Sequence, residues 1–315
     1  MKPVAIVSMI ALVTALLLPV FWMSRKEPEV PVHYADSDLI FTVKGETDTT
    51  TVTMADYLPG VLAGEMPALF EMEALKAQAV AARTYILYRM ATPTDKHPEA
   101  VICDDPSCCK AFLSADTLEE KWGKDFDKYY EKMCTAVRET DGEYLRYAGS
   151  PIQAVFHSSS PGQTQASADI WNDCPYLLSV DSPETAADVP DFTTDIYLTP
   201  EDFRKALLAE YPDIPFTDTP ADWLEETVLN DSGRVETTTV CGTAIPGTSM
   251  RTVFSLRSNA YTLEYTEAGT FHFTVTGYGH GVGMSQYGAN VYAKNGYTYD
   301  QILTHYYSGT ELVSG

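Results

Sequence analysis

Two hydrophobic patterns divide the chain. Pro3 to Met23 carry no charge and are almost wholly apolar. A helix needs about 20 such residues to cross the hydrocarbon core of a bilayer. Lys2 precedes the run, and Arg25 and Lys26 follow it. A cleaved leader has a shorter apolar core and a small-residue cleavage site, and Ser24 to Glu29 offers none. Residues 1–23 are therefore expected to form an uncleaved transmembrane signal anchor, which the nearly balanced basic flanks orient only weakly. Residues 24–36 hold Pro28 and Pro31 and show no periodicity, so a short linker is expected there.

Beyond the linker the periods alternate between two and 3.6 residues. Leu39–Val43 and Thr50–Met54 predict a hairpin around Gly45. Met54–Ala63 predicts a helix with Asp56 near its start. The clearest helix is Glu71–Met90, where Met72, Leu75, Ala79, Ala82 and Ile86 recur at helical spacing. Its alanines permit close packing, which makes it the expected centre of the fold. Further helices are expected over Ser114–Arg138, Glu201–Glu210, Ser285–Asn295 and Tyr299–Tyr307. Strands are expected over Glu143–Tyr147, Ile152–Phe156, Thr237–Val240 and Thr270–Thr276. Runs of strands without strict βαβ alternation predict an α+β class: a single mixed domain, 37–315, behind the N-terminal transmembrane helix.

The formal net charge of −23 changes the list of partners. Nucleic acids demand basic patches, so no nucleic acid is expected. An anionic membrane face is disfavoured for the same reason. A neutral or cationic partner fits better. Grooves lined by tyrosine suit sugars, but the 20 tyrosines could equally fill sheets.

The cysteines add a candidate metal site. His97, Cys103, Cys108 and Cys109 form an H-x5-C-x4-C-C arrangement within a short loop. Zinc takes N and S ligands tetrahedrally, and a closed set of four makes a structural site with no open position. The alternatives are a disulfide to a distant cysteine or unrelated thiols. Cys174 and Cys241 are compatible with either a disulfide or buried free thiols.

Three stretches carry candidate chemistry. Glu65 stands in Ala63-Gly64-Glu65-Met66-Pro67, a lone acid among apolar residues. Apolar surroundings favour the protonated carboxyl, the form a general acid needs. The competing account is a carboxylate at a helix start, facing the positive end of the dipole, but Glu71 and Glu73 already fill that place. Gly277–Gly288 has glycine at alternate positions from 277 to 283 around His280. It lacks the βαβ unit and downstream acid of a dinucleotide fingerprint. Alternating glycines suit close backbone approach to a ligand, with His280 either a binding residue or a structural member of a tight turn. His157-Ser158-Ser159-Ser160 offers polar contacts but no nucleophile elbow, so serine catalysis is disfavoured.

Together these stretches resemble the stage II sporulation protein D family, also called the SpoIID/LytB domain. The matching segments are Ala63–Pro67, Glu73–Tyr85, His157–Ser160 with Trp171, Pro175–Leu177, Gly277–Ala289 and Tyr299–Thr310. The resemblance covers roughly residues 38–312. It implies a lytic transglycosylase acting on peptidoglycan glycan strands during forespore engulfment, with Glu65 as the catalytic acid. It implies substrate-groove or supporting roles for Lys76, Gln78, Arg83 and Tyr85, although Lys76 and Arg83 would also suit snorkelling from an apolar helix. His157, Ser158, Ser159, Tyr176, His280, Gln286 and Tyr287 complete the expected binding set. Some relatives are expected to hold zinc through His and Cys near the active site, where this chain has His97, Cys103, Cys108 and Cys109. Implied partners are an amidase that strips stem peptides and a polytopic membrane protein. The implied location is the cell membrane, with the catalytic domain outside the cytoplasm. A single convincing carboxyl favours intramolecular transglycosylation over two-carboxylate hydrolysis. A non-catalytic glycan-binding scaffold is the alternative from another class.

Overall fold

The structure is a computed structural model that describes residues 35–105, 108–109 and 111–314. The expected anchor lies outside the described residues, as does the linker through residue 34. Among the described residues, no helix is long and apolar enough to cross a membrane.

The fold is mixed α and β. Ala35–Asp38 forms a short helix, α1, so the last residues of the expected linker belong to the folded chain. The expected hairpin forms from β1 (Ile40–Lys44) and β2 (Thr49–Thr53), paired antiparallel. Thr53 caps α2 (Met54–Glu65), its Oγ1 accepting from the Asp56 N–H at 3.1 Å. The central helix is α3 (Met72–Ala91), with Glu71 as its N-cap residue. Its sequence period predicts one apolar face, yet nearly every residue from Ala74 to Ile86 is buried. Alanines make this possible, because a helix apolar all round is a core helix. It packs against α2 and also against β4 (Glu143–Tyr147), α5 (Phe126–Arg138), α8 (Gln286–Lys294) and α9 (Tyr299–Tyr306).

Two expected elements differ. The helix expected over Ser114–Arg138 is broken: α4 (Ala115–Trp122) ends where Gly123 takes φ +51°, and α5 starts at Phe126. Positive φ favours glycine, and the chain turns there. The strand expected over Ile152–Phe156 is also absent. Tight turns replace it, with Ala154 N–H donating to Ile152 O and Val155 N–H to Gln153 O. Only β5 (Ser150–Pro151) and β6 (Phe156–His157) are extended pairs. These turns bury Ile152 and Ala154 while aiming β6 at the glycine-rich stretch.

A second core lies beside the first. Its sheets are β11 (Tyr261–Tyr265), β12 (Phe271–Thr276) and β7 (Thr193–Leu198), and β10 (Thr243–Pro246), β9 (Val235–Val240) and β8 (Leu224–Leu229). Phe203 of α6 (Pro200–Glu210) stacks on Phe271 at 4.0 Å and Phe254 at 5.0 Å. Helix α7 (Gly247–Val253) completes this part.

Candidate functional site

Glu65 is the last residue of α2, not the first of α3. The helix-start account therefore fails: the macrodipole offers a carboxylate nothing at a C-terminus. Nor is the setting wholly apolar, as its sequence neighbours suggest. Its Oε1 accepts from the Ala111 N–H at 3.1 Å, and its Oε2 accepts from Gln286 Nε2 at 3.2 Å. Two separate parts of the chain thus fix one carboxyl group.

Local sequence explains both donors. Gly60 and Gly64 lie four apart on one face of α2. A Cβ at Gly60 would sit 2.4 Å from Phe112, and one at Gly64 would sit 3.2 Å from Ala111 O. Only bare backbone lets residues 111–113 lie this close, with Leu113 N–H donating to Gly60 O. Gln286 is the first residue of α8, which Ser285 caps by accepting from the Gly288 N–H.

Glu65 borders two hollows. The larger, about 670 Å³, also takes in Tyr85, Arg89, His157, Ser158, His280 and Gln286. The smaller, about 420 Å³, runs along Ala63–Leu69 to Lys121, Trp122 and Tyr129, and it shares Gly64 and Glu65 with the first. Among the described residues lining both, Glu65 is the one carboxylic acid. Trp171 and Tyr278 are half exposed in the larger hollow, and the Trp171 ring lies 4.8 Å from His280.

The glycine-rich turn forms the back wall. Gly277, Gly279, Gly281 and Gly283 all have positive φ, between +73° and +111°. A Cβ at Gly281 would lie 2.5 Å from Arg234 Cζ, and one at Gly283 would lie 2.1 Å from Val155 O. The turn closes onto β6 through the parallel pairing of β13 (Met284–Ser285) with Phe156–His157. His280 Nδ1 accepts from the Val282 N–H at 3.1 Å, which fixes its neutral tautomer.

Both ring nitrogens of His157 are engaged within the protein. Nδ1 pairs with Val282 O at 3.2 Å and Nε2 with Ser160 Oγ at 2.6 Å. Burial, with His280 and Arg234 nearby, holds its pKa well below the usual histidine range, so the ring is neutral. Behind it, buried Glu184 accepts from Ser160 N–H and from the hydroxyls of Ser182 and Ser285. Buried Arg234 reaches the same Ser160 Oγ at 3.3 Å, and burial pushes its pKa down to about 10. This network ties the His157–Ser160 segment to the cap of α8, and hence to Gln286.

Several expected groove residues lie elsewhere. Arg83 is 1% exposed and grips Asp36, with Nη2–Oδ2 at 2.6 Å, and also donates to Glu143 O. It locks α1 onto the central helix and does not line the groove. Lys76 instead bridges Glu73 and Glu139, at 3.0 and 2.6 Å. Gln78 is fully buried in the core. The Tyr176 hydroxyl accepts from Gln153 N–H at 3.1 Å, one step back from the groove. Tyr287 packs edge-on against Phe70, and Ser159 is buried, bridging Tyr278 through backbone bonds. Position on a helix or in a motif does not reveal which way these side chains face. Sequence reasoning missed Arg89, Lys96, Gln153 and Arg251 in the groove. Glu65, Tyr85, His157, Ser158, His280 and Gln286 are the expected groove residues that do line it, and Trp171 and Tyr278 lie in stretches the sequence marks.

The expected metal loop does converge. His97 Nε2 and the thiols of Cys103, Cys108 and Cys109 offer ligand atoms within 4.8 Å of one another. Parallel pairing of β3 (Ile102–Cys103) with β1 fixes Cys103. The Asp105 carbonyl accepts the N–H groups of Cys108 and Cys109 at 3.0 and 2.8 Å, which turns both thiols inward. His97 Nδ1 lies 3.0 Å from Ala100 O, leaving Nε2 toward the thiols, 3.2 Å from Cys109 Sγ. Such a carbonyl partner on the far ring nitrogen is the usual orienting device of a ligating histidine. Tetrahedral Zn–S bonds of about 2.3 Å place sulfurs about 3.8 Å apart, so this set fits an ion with slight contraction. Burial first, and the neighbouring thiols next, push Cys103 up to about 12. Cys108 and Cys109 also border the hollow beside Glu65. Cys174 and Cys241 are free thiols packed against different cores.

A family model described as SpoIID, Stage II sporulation protein, matches residues 43–147. Stage II sporulation protein D of Bacillus amyloliquefaciens is 35% identical over 263 residues, covering 83% of this chain and 74% of that protein. The chain belongs to the stage II sporulation protein D family. The Bacillus subtilis (strain 168) protein of the same name is also 35% identical, over 264 residues and 74% of its length. The amidase enhancer of that organism is 29% identical over 306 residues, 82% of this chain and 40% of its own length. The family match spans α2, α3 and the Cys/His loop, and so Glu65 and its Ala111 donor, while Gln286, the His157 segment and the glycine-rich turn lie beyond it.

Proposed function

We propose that this SpoIID protein remodels the cell wall during sporulation as a peptidoglycan lytic transglycosylase, with Glu65 as its single acid–base group. The carrying observation is that one carboxylic acid borders both hollows while donors hold each of its oxygens. Hydrolysis ordinarily uses a second carboxyl to activate water. An intramolecular route needs none. Glu65 in its acid form protonates the oxygen between muramic acid and glucosamine. The C1–O bond breaks and glucosamine leaves with that proton as its 4-hydroxyl; the resulting carboxylate takes the proton from the muramic C6 hydroxyl, whose oxygen closes on C1. The product is a 1,6-anhydromuramic end, and the two hollows receive the sugars on either side of the bond. Trp171 and Tyr278 offer faces for sugar rings. Family membership and the likeness to proteins named for sporulation and amidase enhancement support the cell-wall setting.

We further propose zinc in the Cys/His set, where His97, Cys103, Cys108 and Cys109 would hold it. Bound zinc supplies structural cross-linking there. The protein's own contribution is the Ala111 N–H, which the same loop delivers to Glu65. Residues 1–23 are proposed as the membrane anchor, with the domain outside the cytoplasm. A stem-peptide amidase and a polytopic membrane protein are the proposed partners. The test is mass spectrometry of peptide-stripped glycan after incubation with the purified protein. Anhydro ends are expected. Reducing ends would indicate hydrolysis, and uncut strands would favour a binding scaffold, the role that likeness to an amidase enhancer also suits.

A further inference from the structure

The groove carries a cation that, among the described residues, has no carboxylate partner. Arg251 stands in the last turn of α7 and lines the same hollow as Glu65. Its Nε donates to Leu256 O at 3.3 Å, and it forms no ion pair among the described residues. Arg251 is partly buried, which lowers its pKa, and a guanidinium with no carboxylate partner on the wall of a hollow gains from an anion that enters it. Its surroundings are positive too. The charge of Arg251 is felt by Arg234 and His157 behind the wall. Arg257 lies 4.5 Å over the Tyr278 ring on the same side. In a chain of net charge −23, this positive end of a groove is the opposite of what composition would place there. A guanidinium matches a carboxylate through paired hydrogen bonds, and an anionic ligand would supply the partner it lacks among the described residues.

We propose that Arg251 is a specificity residue that binds the free lactyl carboxylate of muramic acid. This rests on the glycan-strand reading above. In a strand of alternating glucosamine and muramic acid, that carboxylate is the anionic group left once the stem peptide is gone. While the peptide is attached, the same carbon is a neutral amide. Arg251 therefore reads whether the strand has been stripped. The reaction that supplies the substrate is an amide hydrolysis: water adds, the C–N bond breaks, and the products are the lactyl carboxylate and a peptide ammonium.

The test uses full-length Glu65→Gln protein, which is expected not to turn over. It is titrated calorimetrically with stripped glycan oligomers and with the same oligomers converted to methyl amides. The acid form is expected to bind roughly tenfold to a hundredfold more tightly, the range of a charge-assisted contact. The added change Arg251→Gln should abolish the preference, and Arg251→Lys should keep part of it. Equal binding of acid and amide by the Glu65→Gln protein, or a preference that survives Arg251→Gln, overturns the assignment and leaves the glycan reading standing. Failure to bind either oligomer overturns both. If Arg251→Gln does not fold, the acid–amide comparison on the Glu65→Gln protein decides.

Discussion

Asp36→Ala is the perturbation that most sharply separates a structural Arg83 from a substrate-binding one. Asp36 and Arg83 are 3% and 1% exposed, and their charges meet at 2.8 and 2.6 Å. The remaining guanidinium donors reach the carbonyls of Glu143 and Val137, at 3.0 and 3.3 Å. Removing Asp36 leaves a buried cation with carbonyl partners alone. Losing one member of a buried pair costs about 3–5 kcal/mol. For a domain of this size each kcal/mol shifts the melting temperature by about 2–4 °C, so a fall near 10 °C is expected. Asp36→Ala with Arg83→Met should cost less than the sum of the single changes, because the second removes the stranded charge. Urea and thermal unfolding read the loss. Glycan binding, measured well below the melting temperature, should stay at the wild-type level. A variant that melts like wild type but no longer binds glycan would refute the argument and return Arg83 to the groove.

Three further outcomes follow from the site. Neutral His157 stabilises the fold fully above about pH 6.5 and less as pH falls, because the unfolded chain takes up the proton first, at most about 1.4 kcal/mol per pH unit. His272, raised by its bond to Asp195, acts in the opposite sense in both proteins, so the difference in slope between wild type and His157→Gln isolates His157. Elemental analysis should find one zinc per chain, with chelation lowering the melting temperature; metal-free protein of full stability would exclude the centre. Gly281→Ala forces a methyl to within 2.5 Å of Arg234 at φ +81°, and should cost at least about 1–2 kcal/mol in urea unfolding; an unchanged midpoint would show that the turn relaxes.

What was legible in the sequence depended on whether local pattern or tertiary approach decides the outcome. The hairpin, the central helix and the closing helices follow from period and capping, as the Thr53 and Ser285 caps illustrate. The Cys/His cluster was legible because its ligands lie close in sequence. The break at Gly123 was not, since one glycine inside a helical pattern is tolerated unless its φ turns positive. The facing of Arg83 and Lys76 was not legible either. Their partners, Asp36 and Glu139, lie 47 and 63 residues away in sequence, and a helix face alone does not show what covers it. Arg251 and Arg234 come from the second core, and nothing in their local sequence marks the groove they border or support. Glu65 stood out for its apolar neighbours, but its position rests on Ala111 and Gln286.

The most direct measurement compares wild-type and Glu65→Gln protein on peptide-stripped glycan strands, scoring ends by mass spectrometry and binding in parallel. The account predicts 1,6-anhydromuramic ends from the wild type, none from Glu65→Gln, and retained binding by both. Anhydro ends at near wild-type yield from Glu65→Gln would contradict it.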